Sequence, residues 1–150
     1  MGLDMYLTAE KYLSEYNEGE KEKAGAIALL FPELGGVARV KNVEVEIMYW
    51  RKANAIHAWF VRECQEGVDE CQKSYVSQDQ LKELVAICKK VLKDPAKAQK
   101  LLEPQSGFFF GSTEVDEWYL EDLKRTVDTL SAFLKVRDLD TWSIHYQSSW

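Results

Sequence analysis

The stretch VEVEIMYWRKANAIHAWF, Val43 to Phe60, passes from one hydrophobic period to another. Val43, Val45, Ile47 and Tyr49 alternate with Glu44, Glu46, Met48 and Trp50, the two-residue period of a strand. The β-branched set is assigned to its inward face. From about Arg51 to Gln65 the period lengthens. Ala53, Ile56, Phe60 and Cys64 fall on one stripe at three- and four-residue spacing, as on an amphipathic helix, and Gly67 supplies a C-terminal stop. A strand over 42–50 feeding a helix predicts helices packed on a sheet.

The same reading extends both ways. Leu3, Met5 and Leu7 alternate with Asp4, Tyr6 and Thr8, giving a strand near 3–9. Tyr16 to Lys23 is polar and acidic and reads as an exposed loop or a frayed helix end. Ala24 to Phe31 reads as a short helix on the sheet, stopped by Pro32 and Gly35-Gly36. Ser77 and Gln80 form a capping box ahead of the stripe Leu81, Leu84, Val85, Cys88, Val91 and Leu92. Asp94-Pro95 restarts a short helix to about Leu102. Ser106 to Gly111 (SGFFFG) reads as a third strand, and Thr113 opens a helix to about Lys135. Trp142, Ile144 and Tyr146 mark a last strand over 141–148. Strands at both ends with helices between predict an α+β fold: a small, mostly antiparallel sheet with three to four helices, in one domain over 1–150.

Composition narrows the function classes. A chain of 150 residues with net charge −6 lacks the basic stripe that general nucleic-acid binding requires. Residues 51–100 hold the only positive balance, which reads as a solvated helix surface. Cys64, Cys71 and Cys88 make an odd count without CxxC spacing, which argues against a disulfide framework or a zinc site and for a reducing cytosol. The start MGLDMYLTAEKY has neither a signal-peptide pattern nor a myristoylation motif, so no membrane partner is expected.

Two stretches carry polar chemistry. On the helix after Val43–Trp50, Arg51, Asn54 and His57 project along one flank and offer a guanidinium, an amide and an imidazole to one ligand. The competing reading is a helix-edge histidine bonded to its neighbours. Trp59, on the opposite flank, is either covered by another segment or an exposed contact for a partner protein. In the second stretch a strand would put Phe109 on one face and Phe108 and Phe110 on the other. Gly111, Ser112 and Thr113 lead into a helix N-terminus whose amides can hold an anion, against the plainer reading of a capped turn. Trp118 adds an aromatic face. Glu117 and Glu121 share a helix face, where an ion-pair ladder with Arg125 is simpler than a metal site.

The strings MGLDMYL, YWRKANAIHAWF, GVDECQKSYVS, GFFFGSTEVDEWY and YQSSW resemble a group of small proteins encoded by bacteriophages and prophages. That resemblance covers nearly the whole chain outside a variable, exposed insertion near 17–36. It implies a phage accessory protein in the bacterial cytosol, without an assigned activity, catalytic residue or cofactor. The expected function is non-catalytic binding of a nucleotide-like or other anionic small molecule at Arg51, Asn54, His57, Phe109, Gly111, Ser112, Thr113 and Trp118. The alternatives are a protein that binds and inhibits a host protein, and a hydrolase using His57 with Asp116 or Glu117.

Overall fold

Nine regular elements follow one another in the computed structural model, which describes residues 2–150. They are β1 (Asp4–Tyr12), α1 (Glu18–Ala28), β2 (Asn42–Arg51), α2 (Asn54–Cys64), β3 (Ser74–Tyr75), α3 (Gln78–Lys93), α4 (Ala98–Leu101), α5 (Glu117–Phe133) and β4 (Ser143–Ser149). The strands form one antiparallel sheet in the order β2-β1-β4-β3. The fold is α+β, with five helices.

Alternation in β1 behaves as the sequence dictates. Leu3, Met5, Leu7 and Ala9 are sealed on the core face. β4 matches it, with Ile144, Tyr146 and Ser148 buried. In β2 the inward face is not continuous. Thr8 pairs with Glu46 but Leu7 pairs with Met48, so Ile47 is an extra residue in a bulge. One extra residue reverses which side chains point inward. Before the bulge Val45 stands opposite buried Ala9; after it Met48 and Trp50 are sealed in the core, the expected Ile47 only partly buried against it and Tyr49 outside it.

The core joins that sheet face to α2, α3 and α5. Phe60 of α2 stacks on Tyr146 of β4 at 4.0 Å and meets Trp50 edge-on at 5.8 Å. The Trp50 indole donates to the Thr126 hydroxyl at 2.8 Å, and that hydroxyl donates to the Asp122 carbonyl at 2.7 Å. This tie fixes α5 against β2. Trp59 is fully buried and packs edge-to-face on Phe60 at 5.2 Å. It is covered by the fold, so a partner contact built on Trp59 is excluded.

Five elements differ from expectation. Residues 106–111 are no strand: Phe110 N–H bonds back to the Gly107 carbonyl, and the Phe110 ring lies so close to Gly107 that a Cβ there would approach it to 2.6 Å. The strand that completes the sheet in its place is β3, Ser74–Tyr75, too short for an alternation pattern. Arg51 ends β2 rather than opening α2. Asp116, not Thr113, starts α5, accepting the Tyr119 N–H at 2.9 Å. Within 17–36, Asn17 caps a helix that begins at Glu18, so the polar run is helical while Leu29 to Phe31 lie beyond its end. The capping box at Ser77 and Gln80 forms as expected. Among the described residues no helix is long and apolar enough to cross a membrane.

Candidate functional site

The site grows out of the junction between β2 and α2. After Arg51 the chain turns through Lys52, whose φ of 58° is rare for a residue with a side chain. Ala53 follows at φ −77° and ψ 66°, an inverse γ-turn closed by Asn54 N–H on the Lys52 carbonyl at 2.9 Å. The Lys52 amide donates to the Leu3 carbonyl at 2.7 Å. Its side-chain stem runs past two glycines. A Cβ on Gly2 or on Gly111 would come within 3.2 Å of it, and Gly111 has φ +86°. Glycine at 111 is required for both reasons.

Asn54, the first residue of α2, holds the 105–112 segment against this junction. Its amide donates to the carbonyls of Phe110 at 3.0 Å and Ser112 at 2.8 Å, and its side-chain oxygen accepts the Gln105 N–H at 3.0 Å. The segment is also tied to β1, through Leu3 N–H on the Phe109 carbonyl at 3.1 Å. Between this turn, the start of α2 and the first turns of α5 lies a cavity of about 490 Å³.

The cavity wall mixes charges, with Arg51, Lys52 and Arg125 set among Glu114, Asp116, Glu121 and Asp122. Ala53 gives α2 no side-chain cap, and Ala55 and Ile56, whose first-turn amides would be orphans, line the wall. The partial positive charge of the helix start is joined by Arg51 and Lys52. Neither cation enters an ion pair among the described residues. Across from them α5 presents Trp118, 81% exposed, with Glu121, Asp122 and Arg125. Burial pushes the Asp122 carboxyl up to about 6, against the opposing pull of Arg125 at 3.4 Å. Arg125 therefore pairs with Asp122, not with the expected Glu117 and Glu121 ladder.

Arg51, Asn54, Gly111, Ser112 and Trp118 line this single cavity, bringing together two stretches that are distant in sequence. Asn54 is there as a brace, its amide spent on the turn. Thr113 and Phe109 are not among the lining residues. His57 is elsewhere and fully engaged: Nδ1 meets the Tyr146 hydroxyl at 2.7 Å, and Nε2 meets Asp69 at 2.9 Å. With Asp69 as its carboxylate partner and Asp116 serving as a helix cap, the expected pairing of His57 with Asp116 or Glu117 does not form. The Arg51–Asn54–His57 row fails for a simple reason. Its spacing requires one helix, but Arg51 sits on a strand.

Sequence reasoning misses Lys52, Asp122 and Arg125. Arg125 reads in sequence as part of a solvated ladder; Asp122 stands on the same helix one residue beyond Glu121. The left-handed backbone at Lys52 leaves no mark in the sequence. The thiols of Cys64 and Cys88 are both pushed up to about 12 by burial, which leaves them poor nucleophiles. Among the described residues no group of three His, Cys, Asp or Glu side chains is placed to hold a metal ion. Comparison with family models, with curated proteins and with solved structures gives no match for this chain.

Proposed function

We propose that the protein is a non-catalytic binder of a flat, anionic small molecule, with nucleotides as the leading class. The observation that carries this reading is the convergence of Arg51, Lys52 and the uncapped start of α2 on one cavity with an exposed tryptophan. An anionic group fits beside Arg51, Lys52 and the start of α2, where guanidinium and amide donors suit phosphate oxygens. A planar ring fits over Trp118. Hydrogen-bond donors on the ring edge fit Glu121 and Asp122. Holding Lys52 in a left-handed conformation costs roughly 1–2 kcal/mol, the kind of strain that concentrates at ligand sites. In the setting of a phage accessory protein, such a binder would sequester a small molecule of the host cytosol.

A thermal-shift screen with nucleoside mono-, di- and triphosphates and cyclic nucleotides tests the reading. A ligand present at about a hundred times its Kd adds roughly 2.7 kcal/mol. That corresponds to a rise of roughly 5–10 °C for a chain of this size. A melting temperature unmoved across the whole panel contradicts it.

A further inference from the structure

One carboxylate joins three parts of the chain that are remote in sequence. Asp69, in the loop between α2 and β3, meets the buried His57 at 2.9 Å with one oxygen. With the other it accepts the Trp150 indole N–H at 3.1 Å. His57 meets the Tyr146 hydroxyl at 2.7 Å, so the line of bonds runs from the core out to Trp150, directly after β4.

The two rings that Asp69 holds flank a third. Phe110 meets His57 edge-on at 5.1 Å and Trp150 edge-on at 6.4 Å. Both separations lie within the roughly 4.5–7 Å over which such pairs attract. Phe110 connects this cluster to the cavity of the proposed site. Its carbonyl takes a hydrogen of the Asn54 amide, and the next two residues, Gly111 and Ser112, are cavity wall. Trp150 is not among the lining residues.

The two flanking rings are not held alike. His57 is sealed, with both nitrogens engaged. Trp150 is 45% exposed, and its indole bonds to a carboxylate that is itself partly open to water. Beside Phe110, between His57, Asp69, Gln105 and Ser106, lies a second cavity of about 330 Å³. Benzene fits a cavity of about 150 Å³, so a Phe110 ring freed on the Trp150 side has room to move. We propose that Trp150 is a strap: seated on Asp69 it clamps Phe110 and closes the Gly111–Ser112 wall, and its release lets that wall open.

Hydrogen exchange of the full chain, read at single amides, tests this. The reporters are Phe110 N–H on the Gly107 carbonyl and Leu3 N–H on the Phe109 carbonyl. Trp150→Ala should speed exchange at both by about tenfold, the worth of one bond to a charged group. Trp150→Phe, which keeps a ring but loses the bond to Asp69, should fall between. The amides of Leu84 and Val91 in α3 should not change. Unchanged reporters in Trp150→Ala overturn the strap. An equal rise in α3 overturns it too, since Trp150 would then only stabilise the whole fold. A further arm rests on the reading of the cavity as a nucleotide site. The nucleoside phosphate that raises wild-type melting most, at about a hundred times its Kd and bound only to the closed wall, should slow Phe110 exchange by up to about a hundredfold. Binding that leaves Phe110 exchange unmoved overturns the link between strap and site. If no nucleotide binds wild type, the binding reading falls, and the reporters alone still decide the strap.

Discussion

Asn54 lies 2.8 Å from the carbonyl of Ser112, 58 residues further along the chain, and this bond fixes one wall of the cavity to another. The same side chain takes the Phe110 carbonyl and the Gln105 N–H, so one buried amide uses both its donors and its acceptor on a single turn. Asn54→Ala should lose roughly 2–4 kcal/mol in urea unfolding, since it removes three bonds and leaves main-chain groups unpaired. Asn54→Asp should cost at least as much, because a carboxylate cannot donate to the two carbonyls. A loss below about 0.5 kcal/mol for both contradicts the bracing role.

Thr126→Val tests the tie between β2 and α5. Valine keeps the shape but strands the Trp50 indole N–H in the core. The expected cost is about 1–3 kcal/mol. Equilibrium unfolding measures it, and tryptophan fluorescence should report the altered indole environment in the native state.

Asp122 gives the stability a pH dependence of defined sign. Its folded value is raised to about 6, so the folded state holds a proton that the unfolded state releases. Stability from this group is therefore present at low pH and lost as pH rises from about 4 through 6. Asp122→Asn, which keeps an acceptor for Arg125, should raise stability at neutral pH by about 1 kcal/mol and leave it unchanged near pH 4. Thermal melts at the two pH values check this. A variant less stable than wild type at neutral pH contradicts that sign.

Thiol titration reads the burial of the cysteines. Cys88 is buried and Cys64 partly so, both with raised pKa. A disulfide reagent should react slowly with both in the native protein, leaving Cys71 as the first thiol modified, and with all three once the chain is unfolded. Rapid native modification of Cys88 contradicts the packing described.

The strands of high sequence regularity are legible in the sequence. β1 and β4 alternate cleanly because each has one face on the core and one outside it. The capping box at Ser77 is legible because it is a local hydrogen-bond exchange between residues three apart. What is not legible is set by tertiary contacts. The bulge at Ile47 depends on the register against β1, which no local pattern in β2 records. Phe108 to Phe110 have strong strand propensity, yet among the described residues their backbone meets Leu3 through one bond and no strand ladder, so the segment turns and Phe110 packs on His57 at 5.1 Å. Arg51 and Trp118 stand out in the sequence for their chemistry, and both do line one cavity. Lys52 does not, because its place between Gly2 and Gly111 is a property of three segments, not one.

Calorimetric titration of the nucleotide that shifts melting most, into wild type and into Arg51→Ala, tests the shared cavity most directly. A guanidinium bond to an anionic group contributes about 1.5–3 kcal/mol, so Kd should rise roughly tenfold to a hundredfold. Lys73→Ala, on a lysine paired with Glu10 and Glu44 outside the cavity, should leave Kd unchanged. Equal affinity for wild type and Arg51→Ala would contradict the account.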